Sequence, residues 1–153
     1  MPTIANYPMA AIAEGIHPPA RGSVLIQITD PNCPAPAPMR ATDFVRTVHV
    51  QFLDVGAEHI VRLTEVGRAH HVFSNEQAKL LARALREAYA EGRDVLVHCH
   101  AGLCRSGAVV EAGLLLGFTV PDTHPYKRLP NSLVYNKLRK ALGFACSFEE
   151  VAK

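Results

Sequence analysis

The sequence predicts an α/β domain, with a central, mostly parallel sheet flanked by helices. Three observations predict it. Val95-Leu96-Val97 is a short β-branched run that leads straight into a glycine-containing loop and then a helix, the layout that sets a site at the carboxyl end of a strand. Ser23–Thr29 (SVLIQIT) is a second apolar, β-branched run of the kind found in buried strands. A long amphipathic helix, about Asn75 to Glu91, precedes the Val95 run and can cover one face of the sheet.

Taken in order, Ser23–Thr29 is followed by Pro31 to Pro38 (PNCPAPAP). Its four prolines can neither donate to a ladder nor continue a helix, so it is a stiff extended loop. Val45–Phe52 (VRTVHVQF) alternates in part and predicts another strand, ending at Leu53-Asp54 before Gly56. Glu58–Glu65 is compatible with a short helix inside a region, Asp54 to Phe73, that otherwise predicts loop. Ser74-Asn75-Glu76-Gln77 has the form of a capping box. Ala78, Leu81, Leu85 and Ala88 then recur at helical spacing until Gly92 supplies a left-handed stop. After the loop His98–Gly107, Ala108–Leu116 predicts a helix stopped by Gly117. Leu133–Leu142 predicts a last amphipathic helix with Gly143 as its cap.

A chain of 153 residues can bury one sizeable core unaided, so residues 1–153 are read as a single domain. A formal net charge of +2, with no Lys/Arg block, is too weak to argue for a nucleic-acid partner. No apolar stretch approaches the ~20 residues needed to span a bilayer. The N-terminus lacks a basic region followed by an apolar run. The expectation is therefore a cytoplasmic protein with no membrane partner; oligomeric state is left open. Cys33, Cys99, Cys104 and Cys146 are expected to be free thiols in a reducing compartment, with Cys33 and Cys146 as ordinary residues.

The chemistry concentrates in Val97-His98-Cys99-His100-Ala101-Gly102-Leu103-Cys104-Arg105-Ser106-Gly107. A thiol ends a buried strand, five residues wrap a loop, and an arginine opens a helix. Such a loop can turn its amides inward as an anion nest, with a helix N-terminus behind it. Amides, helix dipole and Arg105 all favour negative charge at one point, so the Cys99 thiol there should ionise below its free value of about 8.5. A phosphate dianion fits the same nest, and a planar guanidinium can grip two of its oxygens. His98, Cys99, His100 and Cys104 fall within seven residues but do not form a zinc pattern, so no metal and no cofactor are expected. Cys104, inside the loop, is also a candidate to trap an oxidised Cys99.

The wording His98-Cys99-x5-Arg105-Ser106 after a Val-Leu-Val strand resembles the signature of the cysteine-dependent protein-tyrosine/dual-specificity phosphatases. Phe52-Leu53-Asp54, the Ser74-capped helix and Pro130-Asn131 extend the resemblance, over roughly residues 23 to 143, to small bacterial and phage members of that superfamily. The resemblance implies a dual-specificity-phosphatase-like fold and hydrolysis of phosphomonoesters, phosphotyrosine favoured and phosphoserine/threonine open. The partner is then a phosphorylated protein or a small phosphate ester.

It also implies roles. Cys99 attacks phosphorus and Arg105 holds the equatorial oxygens. The amides of His100, Ala101, Gly102, Leu103, Cys104 and Arg105 cradle the phosphate. Ser106 hydrogen-bonds the Cys99 sulfur and helps it leave. His98 braces the loop, and Asn131 is a candidate for supporting it and positioning water, although after a proline it is equally a ready helix N-cap. Asp54 is the candidate general acid, 45 residues before Cys99, a wider gap than is common in the family. Asp43, Glu58 and, more distantly, Asp30 are its rivals. Two other functions use comparable parts: a sulfurtransferase or arsenate reductase built on a loop thiolate, and a phosphate-reading module with no turnover.

Overall fold

The computed structural model describes residues 1–144 of the 153, so Cys146 lies outside the described residues. Four strands, β1 (Ile4–Pro8), β2 (Ser23–Thr29), β3 (Phe44–Gln51) and β4 (Val95–Cys99), form one sheet among the described residues, in the order β1-β4-β2-β3. Every pairing is parallel, with Leu25 and Ile26 opposite Leu96 and Val97, and Ile4 opposite Val95. The expected mostly parallel sheet is thus wholly parallel. All seven residues of β2 and all five of β4 are buried, because helices and loops cover both faces of the sheet centre; hence their unbroken apolar runs.

Alternation sorts the side chains. Val24, Ile26, Ile28, Val95, Val97 and Cys99 face a core shared with α3 (Asn75–Ala90), α4 (Arg105–Leu116) and α5 (Ser132–Ala141). Leu25 and Leu96 face the other side, covered by α1 (Met9–Glu14) through Ala11 and Ile12. Helix α3 opens as its sequence predicts: the Ser74 hydroxyl accepts from the Gln77 amide at 3.0 Å, and the Gln77 side chain accepts from Ser74 N–H at 3.0 Å. Such a cap is worth about 1 kcal/mol.

Three comparisons with the sequence reading bear on function. The N-terminal segment holds β1 and α1, which sequence patterning does not reveal: five residues ending in proline carry too little periodicity. Helix α4 opens at Arg105, three residues ahead of the apolar run that starts at Ala108, so Arg105 and Ser106 occupy its first turn. In Asp54 to Phe73 the short helix expected at Glu58–Glu65 is α2 (Ile60–Glu65), and single 3-10 turns, Ala57–His59 and Ala69–His71, flank it. Among the described residues no helix is long and apolar enough to cross a membrane.

Candidate active site

Parallel strands place all their carboxyl ends on one edge, and that edge gathers the candidate residues. Cys99 ends β4, Asp30 follows the end of β2, and Phe52 to Asp54 follow β3. Cys99 is buried, and its sulfur lies 3.2 Å from the Ser106 hydroxyl across the loop that joins β4 to α4.

The loop is held from outside by its carbonyls. His100 O accepts from the Met9 amide at 3.1 Å, Leu103 O from the Leu129 amide at 3.1 Å, and Cys104 O from the Asn131 amide at 3.0 Å. Gly102 O accepts from the Asn6 side chain at 2.6 Å. In a trans peptide the carbonyl and the following N–H point in opposite directions, and there is no cis peptide among the described residues. The amides of Ala101, Leu103, Cys104 and Arg105 therefore turn away from these partners. Gly102 sits at φ +77°, and a Cβ there would strike the Tyr7–Pro8 backbone, so only glycine fits.

Arg105 is a buried cation, its side chain 6% exposed. Its Nη1 donates to Asp30 Oδ1 and to the Phe52 carbonyl, each at 2.7 Å. Its Nε is buried without a hydrogen-bond partner among the described residues. The Nη1 corner is thus anchored at the back while a buried donor waits on another edge, an arrangement that an oxyanion would complete. Asp30 is held there by the proline loop. The Thr29 hydroxyl and Gln51 Nε2 both donate to Cys33 O, at 2.8 and 2.9 Å, and Gln27 Nε2 donates to Pro36 O at 3.0 Å. Asp30, read from sequence only as a distant rival for the acid, is in the structure the carboxylate that positions Arg105.

Asp54 stands exposed at the rim. Asn131 Nδ2 donates to its Oδ1 at 2.8 Å and to the Val55 carbonyl at 3.1 Å. Asn131 Oδ1 also accepts from the Val134 amide at 3.1 Å, so one residue caps α5 and tethers the Asp54 segment. Asp54 reaches Cys104 as well. Burial first, then the charge of Asp54, hold the Cys104 thiol above its usual range. A thiol kept protonated is a poor trap for an oxidised neighbour. Among the rivals, Asp43 is paired with Arg40 at 3.2 Å just before β3 starts, at the opposite end of the sheet. Glu58 lies 3.4 Å from His59, outside the loop.

His98 points to the α1 side, fully buried, with neither ring nitrogen in a hydrogen bond of standard geometry among the described residues. Burial chiefly lowers its pKa from 6.5 to about 4, and the nearby Cys99 main chain offsets part of this. A histidine that must enter the fold neutral opposes folding once the unfolded chain protonates. Its contribution is intact above pH 6.5 and declines as pH falls from there toward 4, by about 3 kcal/mol at most. Urea unfolding at pH 7 and pH 4.5 should show that loss in the wild type and a smaller one in His98→Asn.

Asn6 is the site residue that sequence reading missed. It is fully buried in β1, and its Nδ2 donates to Gly102 O and, at 2.9 Å, to Lys127 O. With both amide hydrogens engaged, its Oδ1 accepts from His124 Nε2 at 3.2 Å. A lone asparagine inside an apolar run was the available signal. Among the described residues no cluster of three or more His, Cys, Asp or Glu is placed to hold a metal.

No protein-family model matches the chain. Over 43 residues it is 49% identical to human dual specificity protein phosphatase 12; the stretch is 28% of this chain and only 13% of that protein. Among solved structures it is similar to the human tyrosine phosphatase-like serine/threonine/tyrosine-interacting protein, with TM-score 0.56 and 17% identity over 99% of this chain and 94% of that one. A looser likeness, on which nothing is built, is to Tk-PTP in its active form, with TM-score 0.41 and 21% identity over 96% of this chain and 83% of that one. The fold is therefore the α/β fold of the tyrosine- and dual-specificity-phosphatase-like proteins.

Proposed function

We propose, from that fold and the residues at its carboxyl edge, that this chain is a cysteine-dependent phosphatase acting on phosphomonoesters, phosphotyrosine in proteins foremost. One observation carries the proposal. A buried guanidinium, its Nε without a hydrogen-bond partner among the described residues, directly follows a loop whose carbonyls are engaged outside and whose first residue is a buried thiol. Each part favours the same ligand, a tetrahedral oxyanion.

In the proposed reaction the Cys99 thiolate attacks phosphorus while the ester P–O bond breaks. Asp54 gives its proton to the leaving oxygen. Loop amides and Arg105 bear the charge that spreads over the equatorial oxygens. Water then attacks the phosphocysteine, Asp54 accepts its proton, and sulfur leaves as thiolate, stabilised by the Ser106 hydroxyl. Asn131 supports this by holding Asp54 at the rim. His98, behind the loop and neutral, supports it by packing.

Substrate comparison tests the assignment. Phosphate release from p-nitrophenyl phosphate and a phosphotyrosyl peptide, undiminished by chelator, is expected. Sulfur transfer from thiosulfate or reduction of arsenate in its place would replace the reading with one of its rivals. A phosphate-reading module is the second reading, since the structural neighbour is named phosphatase-like and interacting. Tight binding of the phosphopeptide without turnover would select it. For the acid, Asp54→Asn should slow substrates with poor leaving groups by roughly 10²-fold or more and p-nitrophenyl phosphate far less. If Asp43→Asn shows that dependence instead, Asp54 is not the acid.

A further inference from the structure

The segment between Asp54 and α3 encloses a hollow of about 390 Å³, lined by Val55, His59, Arg62, Leu63, Val66 and Arg68. Its shape comes from the end of α2. Gly67 takes φ +72° and its amide donates to Thr64 O at 3.1 Å, while the Arg68 amide donates to Leu63 O at 2.7 Å. This left-handed stop folds Arg68 back toward the helix that carries Arg62 and Leu63. Neither α2 nor its flanking turns bury a residue, and Val66 is 61% exposed. A six-residue helix of this kind draws no stability from the core, so packing does not explain its apolar side chains.

The hollow is also positively charged. No carboxylate lines it. Arg62 has no ion pair among the described residues. Arg68 Nε donates at 3.1 Å to His71 Nδ1, which must be unprotonated to accept, so that contact leaves the charge in place. Of the segment's three acids, Asp54 accepts from Asn131 at 2.8 Å, Glu58 lies 3.4 Å from His59, and Glu65 is outside the lining. One exposed residue separates the hollow from the catalytic loop: Val55 lines the hollow, and Asp54 before it reaches the Cys104 thiol. Asn131 Nδ2 holds Val55 O at 3.1 Å, and the Leu53 amide donates to His71 O at 2.8 Å, so the segment is tied to the catalytic edge at both ends.

We propose that this hollow selects protein substrates by the residues beside the phosphorylated one, taking an acidic side chain on Arg62 and Arg68 and an apolar one on Val55, Leu63 and Val66. The inference rests on the phosphatase reading for what the substrate is. The two arginines set the sign of the occupant. The three apolar side chains beside them set its kind, an acid next to a hydrophobe and not a uniformly acidic tract. Two residues of an extended chain span about 7 Å, and consecutive Cα atoms such as those of Asp54 and Val55 lie about 3.8 Å apart. Positions one to three residues from the phosphorylated one therefore have the reach to enter the hollow.

The test compares phosphotyrosyl peptides carrying a Glu-Leu pair one to three residues from the phosphotyrosine, on either side, with peptides carrying Ser-Gly there. In its best placement the pair should lower KM by roughly fivefold or more at low salt, and about 0.5 M salt should remove the glutamate's share. R62Q/R68Q should cancel that share and V66D the whole advantage. p-Nitrophenyl phosphate, which has no neighbouring residue, should be turned over by both variants at the wild-type rate. A wild type that treats all the peptides alike, or an advantage that outlasts both variants, would overturn the proposal. So would variants that slow p-nitrophenyl phosphate as much as the peptides. Anisotropy of the labelled phosphotyrosyl peptides reads the hollow even if no phosphate is released. Tighter binding of the Glu-Leu peptide, weakened in R62Q/R68Q, supports the hollow although the phosphatase reading has failed. Equal binding of the two peptides, or variant-sensitive binding of phosphatidylserine vesicles in its place, refutes it.

Discussion

Cys99→Ser should remove phosphate-ester turnover by on the order of 10⁴-fold or more while leaving the ester able to bind. The substitution exchanges one atom, so the contact with Ser106 and the loop's outer hydrogen bonds have no reason to move. What changes is the nucleophile. A thiolate is intrinsically a far better nucleophile than a serine hydroxyl, which needs a base, and His98, on the opposite side of the sheet, is not placed to be that base. Steady-state release of p-nitrophenolate measures the loss, and calorimetric titration with a phosphotyrosyl peptide measures what remains. Turnover within tenfold of wild type would remove Cys99 from the chemistry.

Arg105→Lys should cost roughly 10³-fold in kcat/KM. An ammonium carries the same charge but not the shape. Arg105 is held at Nη1 by Asp30 and Phe52 O and keeps a second donor edge, Nε, for a ligand; a lysine can serve one side or the other. Wild-type protein should gain thermal stability as inorganic phosphate or vanadate is added, because a ligand that binds only the folded state raises its melting temperature. The lysine variant should lose most of that gain. An unchanged response to phosphate would mean that the guanidinium serves the fold and not the ligand.

Legibility in the sequence followed the range of the signal. Helix α3 reads from Ser74 to Gly92 because its cap, its apolar spacing and its stop are all local. The Cys99–Arg105 segment reads because strand, loop and helix start are contiguous. Asp30 was underrated because its partner is 75 residues away. That an acid following a central parallel strand meets the arginine beyond the neighbouring strand's loop becomes visible only with the strand order. Asn131 offered two readings, helix cap and site support; its Oδ1 is the cap of α5, and its Nδ2 donates to Asp54. Strand β1 was missed because a five-residue apolar segment closed by proline states neither its neighbour nor its role.

Asn6 ties the shape of the catalytic loop to the order in which the chain is made. Its side chain bridges residues 96 and 121 positions downstream, Gly102 and Lys127, so the cup closes only when three distant stretches have met. A nascent chain that has released Cys99 but not Lys127 holds the loop without one of the two carbonyls that fix Asn6, so the loop takes its final shape only once residue 127 is available.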